Sequence, residues 1–482
     1  MIIGVDAGTS VTKAAAFDRA GRAVAAASQP TRLLRPAPGQ AEQDLDEVVD
    51  TVAAVVKEVA AALPEPVTAL ALTGQGDGLW LRDADGHATR PPISWLDGRA
   101  GPLLERWRSD GIVDEVYRRT GSGMFPGCHG PLLATLAAEE PAALDRAVVA
   151  GYCTDAIAQR LTGTITVDAS DASLPFLDVE SRRYDAAAIA ACGLADLTRL
   201  LPAPAPSGTV LHLDRRGAAL LDLPFGLPVT CGPFDLPACA LGSGIAEPGE
   251  GLLTIGTTLA CQVLTDAVDI DPGREPAGMF LCVPDPRRWL RAMPAMVGTA
   301  SLEWLLDLLG LGVADLGPLL ADSPPGARGV SALPFLSPSG ERAPFVDTRA
   351  RAQVGGVSLE SSRADIVRAV CEGIAFAARH CLEEAGLAGR LAVCGGGTAS
   401  APWTQVFADV IGRPLHVPAE PEVGARGAVM VAWAALGEPV DEQEWRAGSR
   451  TVAPRSETRD SYDEAYLRYR RTLATVRPLW RE

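Results

Sequence analysis

The chain opens MIIGVDAGTSVTK (residues 1–13), and the reading of this stretch decides the fold. Apolar residues lead into an Asp-Ala-Gly-Thr-Ser turn. The continuation AAAFDRAGRAVAAAS (14–28) carries a second turn at 18–21, so the pattern predicts strand, turn, strand, turn, strand. Small residues in the first turn let backbone N–H groups approach an anion that bulky side chains would hold off. Asp6, Gly8, Thr9, Ser10 and Lys13 are therefore candidates for a phosphate site, with a plain hairpin end as the alternative. The pattern restarts about half a chain later. GEGLLTIGTTLACQVLTDA (249–267) again runs apolar strand, Gly-Thr-Thr turn, apolar strand, with Gly256, Thr257 and Thr258 at the turn. This weak internal repeat suggests two similar α/β halves, 1–244 and 245–482, facing one another across a cleft.

Outside the hairpins the chain reads as a large soluble protein. Its 482 residues exceed one core, and 47% hydrophobic with 5% aromatic residues is ordinary globular composition. No apolar run reaches the roughly 18–20 residues of a membrane span, and no basic segment precedes the apolar start, so a cytoplasmic protein is expected. The ten cysteines are scattered without a CxxC, which favours free thiols, and the five histidines make a Cys/His zinc site improbable. The net charge of −17 disfavours nucleic acid as a partner. Of 43 basic residues only Lys13 and Lys57 are lysine. Lys57 sits in the helical pattern DEVVDTVAAVVKEVAAAL and reads as solvated surface, whereas Lys13 sits in the first hairpin.

A helix is predicted over roughly 44–63 with Asp44 as its N-cap, followed by a buried strand VTALALTGQ (67–75). GLWLRDADGHA (78–88) reads as a hairpin turning at 83–86. Helices dominate from about 100 to 200, then LPVTCGPFDLPACALGSG (227–244) gives strand, tight turn and helix. Later come a helix near 300–310, an irregular stretch at 321–358, a helix near 363–386, and a strand entering Gly395-Gly396-Gly397.

There is no GxxxxGK[ST], which argues against a P-loop kinase, and no strand–GxGxxG–helix opening, which weakens a dinucleotide-enzyme reading. The segments together resemble the FGGY carbohydrate kinase family, essentially end to end. DAGTSVTK resembles its first phosphate motif and TIGTT its second. TGQGDG (73–78) with WLDGR (95–99) resembles its sugar-site segments, and CGPFDLPACALGSG (231–244) the segment holding its catalytic aspartate. LPFLSPSGERAPF (333–345) with AQVGGVSLESSRADIVRAVCEG (352–373) resembles its C-terminal signature. CGGGTASAPWTQVFADVIGRPL (394–415) resembles its adenosine segment. Around PGCHGPLLATLAAEEP (126–141), Leu132 and Thr135 stand where lysine and tryptophan are typical.

The resemblance implies an actin/Hsp70-like (ribonuclease H-like) two-domain ATPase fold, with ATP and Mg2+ as cofactors. Asp235 would be the base that takes a proton from the sugar hydroxyl, an ordinary carboxylate ionised at pH 7. A helix N-cap is its structural alternative. Asp6 and Asp235 would hold the metal. Thr9, Ser10, Lys13, Gly256, Thr257 and Thr258 would line the phosphates, and Gly395, Gly396 and Gly397 the adenosine. Gln75, Gly76, Asp77, Trp95, Asp97 and Arg99, with Asp235, would form the sugar site, Trp80 being a further candidate. Where xylulokinase-like members carry Met-His this chain has Gly76-Asp77. GQGDGLWLRD (74–83) with WLDGRAG (95–101) is closer to erythritol and L-xylulose kinases. The expected partner is a small sugar or polyol, and a homodimer is compatible with the reading. The resemblance also implies closure of the halves on both ligands. A D-xylulose kinase, an actin- or Hsp70-like ATPase without sugar chemistry, and a non-catalytic sugar sensor are the competing readings.

Overall fold

The computed structural model describes residues 1–271, 273–446 and 448–481. The chain forms two compact units. The first is Met1–Gly244 with Thr265–Leu290 and Glu422–Ala447. The second is Ile245–Leu264 with Arg291–Pro421 and Gly448–Glu482. The expected division at 244/245 into two continuous halves is thus crossed by two later segments that return to the first unit.

The first unit is built on β1 (Ile2–Ala7), β2 (Val11–Phe17), β3 (Ala23–Pro30), β4 (Ala69–Gly74), β5 (Thr209–His212) and β6 (Pro228–Cys231). They lie in the order β3-β2-β1-β4-β6-β5. The three leading strands form an antiparallel meander, and β4 joins β1 parallel. Both faces of β1 are buried, which is why it reads as an almost unbroken apolar run. Ile3 and Val5 pack with Val48, Val49 and Val52 of the helix Leu45–Ala62. Ile2 packs with Ala425, Ala428 and Val429 of the helix Val423–Ala435. Each such side chain contributes roughly 1.5–3 kcal/mol on burial. Gly4 is required there, because a Cβ would lie 2.9 Å from the Ala425 carbonyl carbon.

The first helix keeps its predicted cap: Asp44 Oδ1 accepts from Asp46 N–H at 2.9 Å. Lys57 is exposed on it. The hairpin expected at 78–88 forms around its turn, with Arg82 bridging Ala88, Thr89 N–H giving to Leu81 O at 3.1 Å and Leu79 bridging Ile93 further out. The strand Trp80–Arg82 also pairs with Val149–Gly151. Arg82 is fully buried there against Asp155, a partner no local pattern supplies.

The second unit repeats the plan with β7 (Gly251–Ile255), β8 (Leu259–Thr265), β9 (Trp289–Ala295), β10 (Leu391–Cys394), β11 (Leu415–Val417) and β12 (Arg450–Val452). Their order is β9-β8-β7-β10-β11-β12. β7 pairs antiparallel with β8 and parallel with β10, as β1 does with β2 and β4. The long helix Arg363–Ala385 starts at a reciprocal cap, Ser362 N–H giving to Asp365 Oδ2 at 2.9 Å, and stops at Gly386 with φ +88°. The stretch 321–358 contains a two-stranded ribbon, Ser331–Leu333 with Gln353–Gly355. Among the described residues no single helix is long and apolar enough to cross a membrane. All ten cysteines are free thiols.

Candidate active site

In the first unit, β1 and β2 place Asp6 directly opposite Lys13 across the hairpin. Lys13 Nζ lies 3.0 Å from Glu422 Oε2. Burial pulls the Lys13 ammonium down, but the hydrogen bond to Glu422 and the charges of Glu422 and Asp6 outweigh it and leave it above its ordinary value. Burial dominates at Asp6 and pushes its carboxyl up to about 6, against the attraction of Lys13. Gly424 makes room for that carboxylate, since a Cβ there would overlap Oδ2. Glu422 and Gly424 enter from a segment about 410 residues downstream, so nothing local in the sequence marks them.

Asp235 opens the helix Asp235–Gly242. It is not the N-cap; Phe234 holds that position, and its N–H gives to Ser170 Oγ at 3.0 Å. The expectation of an ordinary carboxylate is corrected here. Burial first, then the negative charges of Asp6 and Asp77, push Asp235 up to about 8. Both carboxyls are thus held above the usual range, chiefly by burial, with the Asp6 charge adding to the rise at Asp235. Among the described residues no group of three or more His, Cys, Asp or Glu forms a metal cluster. That donor set fits magnesium brought in with a nucleotide, which uses one or two carboxylates plus phosphate oxygens rather than a protein cage.

The sugar-segment residues gather at the end of β4. Gly76 lies under the Phe234 ring, where a Cβ would come within 2.5 Å of the ring edge, so the ring occupies the space that a larger residue at 76 would need. Asp77 is buried, with φ +55°. Gln75, 3% exposed, donates from Nε2 to Gln43 Oε1 at 2.9 Å and accepts from the Thr9 hydroxyl at 2.9 Å. Trp95 gives its indole N–H to Thr9 Oγ1 at 2.8 Å.

Asp97 and Arg99 are paired with each other. Arg99 Nε reaches Asp97 Oδ1 at 2.9 Å and Nη2 reaches Glu42 Oε1 at 2.7 Å, while Asp97 Oδ2 accepts from Ala41 N–H at 2.6 Å. Their charges hold the 95–99 loop to the segment 41–42. Trp80 is core, 1% exposed. His129 is buried and stacked on Tyr152, and burial pushes its imidazole down to about 4, so it is neutral at pH 7.

The second unit assembles the other candidates. The turn at Gly256-Thr257-Thr258 is exposed at Thr257 and is tied down by Thr299 N–H to Gly256 O, 2.8 Å. Gly298 packs against the turn, where a Cβ would lie 2.6 Å from Thr258 Cα; sequence reasoning missed it. Gly395, at φ +93°, sits with its Cα against the end of β7, where a Cβ would come 2.6 Å from the Ile255 carbonyl oxygen. Gly397 packs on the Ile255 side chain, and the space at Gly396 is open. The Gly-rich segment and the second hairpin are therefore neighbours within one unit.

Residues 1–242 match the FGGY family of carbohydrate kinases, N-terminal domain, and residues 254–436 match its C-terminal domain. The chain is 32% identical to erythritol kinase of Brucella abortus (strain 2308) over 506 residues, covering 100% of this chain and 97% of that protein. It is 25% identical to a probable L-xylulose kinase of Pasteurella multocida (strain Pm70), covering 99% of each. The solved structure of xylulose kinase from Rhodospirillum rubrum superposes with a TM-score of 0.88 at 30% identity, covering 100% of this chain and 99% of that one.

Proposed function

The chain belongs to the FGGY family of carbohydrate kinases, and from that premise we propose that it transfers the γ-phosphoryl group of ATP to a hydroxyl of a four- or five-carbon polyol or ketose, erythritol- or L-xylulose-like. The observation that carries the reading is Asp235 at a helix start, in the unit that also holds Asp6 of the first hairpin and Asp77 beyond β4, the negative charges of both bearing on its carboxyl.

In this reading Asp235 accepts the proton of the attacking hydroxyl as the O–P bond forms. Asp6, with Asp235, holds the magnesium that accompanies ATP, which neutralises charge building on the transferring phosphoryl group. Lys13, Ser10 and the hairpin N–H groups face the phosphates. The second hairpin with Gly395–Gly397 serves the rest of the nucleotide. Gln75, Asp77 and the Trp95 ring line the polyol, and the Asp97–Arg99 pair positions their loop. The small-residue Gly76 under Phe234, in place of a methionine, supports a polyol other than D-xylulose.

A coupled kinase assay over tetritols, pentitols and ketopentoses of both hands tests the proposal. Turnover of a tetritol or L-ketopentose well above D-xylulose is expected, and D-xylulose as the best substrate would refute the specificity.

The raised carboxyl of Asp235 gives a pH prediction. A base must be ionised, so kcat/KM with both substrates limiting is expected to rise with pH through a midpoint near 8 and level off only above it, falling tenfold per unit on the acid side. The kcat limb should lie lower, because bound cation favours the ionised carboxylates. A kcat/KM profile flat from pH 6 to 9 would rule out the assignment.

A further inference from the structure

Thr9 sits at the tip of the first hairpin, the position from which a hydroxyl would be taken to face a phosphate. Its hydrogen bonds point elsewhere. A threonine hydroxyl has one proton to give, and Thr9 gives it to Gln75 Oε1 at 2.9 Å. Its oxygen accepts the Trp95 indole N–H at 2.8 Å. Gln75 continues the chain to Gln43 Oε1 at 2.9 Å, and its own N–H binds the Ala7 carbonyl at the end of β1. The hairpin tip is thus fastened by its side chain to both segments of the polyol site, within one compact unit.

We propose that Thr9 is a positioning residue that couples polyol occupancy to the conformation of the phosphate hairpin, rather than a donor to the phosphates. The inference rests on the reading that Gln75 and Trp95 line the polyol and that the hairpin receives the nucleotide. A polyol hydroxyl meeting the Gln75 amide, or its carbon chain meeting the Trp95 ring, bears on the two groups that hold Thr9. The order imposed there is carried to the N–H groups of residues 8–10. By linkage the nucleotide must then tighten polyol binding by the same factor.

The test is calorimetric binding of MgADP with and without the polyol turned over fastest in the substrate panel. The wild-type protein is expected to bind MgADP about tenfold tighter with the polyol present, within the usual five- to 150-fold range of such couplings. Thr9→Val, which keeps the shape and removes both hydrogen bonds, is expected to reduce that factor to below about twofold while leaving MgADP affinity without polyol nearly unchanged. Thr9→Ser should restore the coupling. Trp95→Phe, which removes only the N–H, should weaken it, and this second variant serves if Thr9→Val fails to fold. Full coupling retained in Thr9→Val and Trp95→Phe would overturn the proposal. So would an equal loss of MgADP affinity with and without polyol, the behaviour of a direct phosphate ligand. A wild-type protein whose MgADP affinity ignores a polyol that it turns over would overturn the coupling and leave the polyol reading standing, whereas a panel with no polyol turned over would overturn that reading.

Discussion

Replacing Asp235 with asparagine is expected to lower kcat for phosphoryl transfer about 10²–10⁴-fold while nucleotide binding survives. Asparagine keeps the shape and one acceptor oxygen but cannot take a proton. The same change removes a charge that burial, Asp6 and Asp77 all disfavour. A group whose carboxyl is raised on folding costs stability progressively as pH climbs from its unfolded value, 3.8, to its folded value near 8, so near pH 8–9 the variant should melt higher than the wild-type protein. Thermal melts at pH 5 and pH 9, set beside kcat and MgADP affinity, check both halves. The stabilisation should be largest at pH 9 and much smaller at pH 5, which lies near the ordinary carboxyl value of 3.8. Undiminished turnover would remove Asp235 from its role, and a collapse of MgADP affinity would show that the loss came from the nucleotide site.

Gly427→Val is the second large effect, and it acts on backbone. The helices Asp235–Gly242 and Val423–Ala435 cross through their glycines. A Cβ on Gly427 would overlap the Ala238 carbonyl oxygen and come within 2.7 Å of its carbon; a Cβ on Gly242 would come within 2.7 Å of Gly427 N. Neither obstacle is a flexible side chain, so the helices must part. Overpacking of this kind costs typically about 1–3 kcal/mol, and valine exceeds the single methyl of alanine. The first helix carries Asp235 and the second carries Gly424 against the Asp6 carboxylate, so parting them displaces both carboxyls. A shift near 1 Å can remove about 10²-fold in rate. Gly427→Ala should therefore be destabilised and slow even where it folds, and Gly427→Val should fail to fold or be inactive. Gly101→Ala, which meets nothing within 4 Å, should be neutral or slightly stabilising by comparison. Urea unfolding with kcat on the folded fraction measures this; a fully active, fully stable Gly427→Val would contradict the crossing.

What was legible in the sequence was local. The opening hairpin, the Asp44 cap, the helix near 363–386 and the restart at 251–265 each follow from neighbours within a few residues. What was hidden depends on residues brought from afar. Glu422 and Gly424 reach Lys13 and Asp6 only because a late helix returns to β1. The strand Trp80–Arg82 takes Val149–Gly151 as a second neighbour, and buried Arg82 meets Asp155, both from about 70 residues away. Asp235 was read with an ordinary carboxyl because desolvation is a property of the packed site. Asp97 and Arg99 were read as facing the sugar, and pairing with Glu42 and the Ala41 N–H turned them to holding the loop.

The most direct measurement is ATP turnover by the wild-type protein with and without a tetritol or pentitol, quantifying ADP and phosphorylated polyol together. The account predicts one phosphorylated polyol per ADP, little ADP without polyol, and loss of both products in Asp235→Asn. ADP formed at the same rate whether or not any polyol is present, with no phosphorylated product, would contradict it.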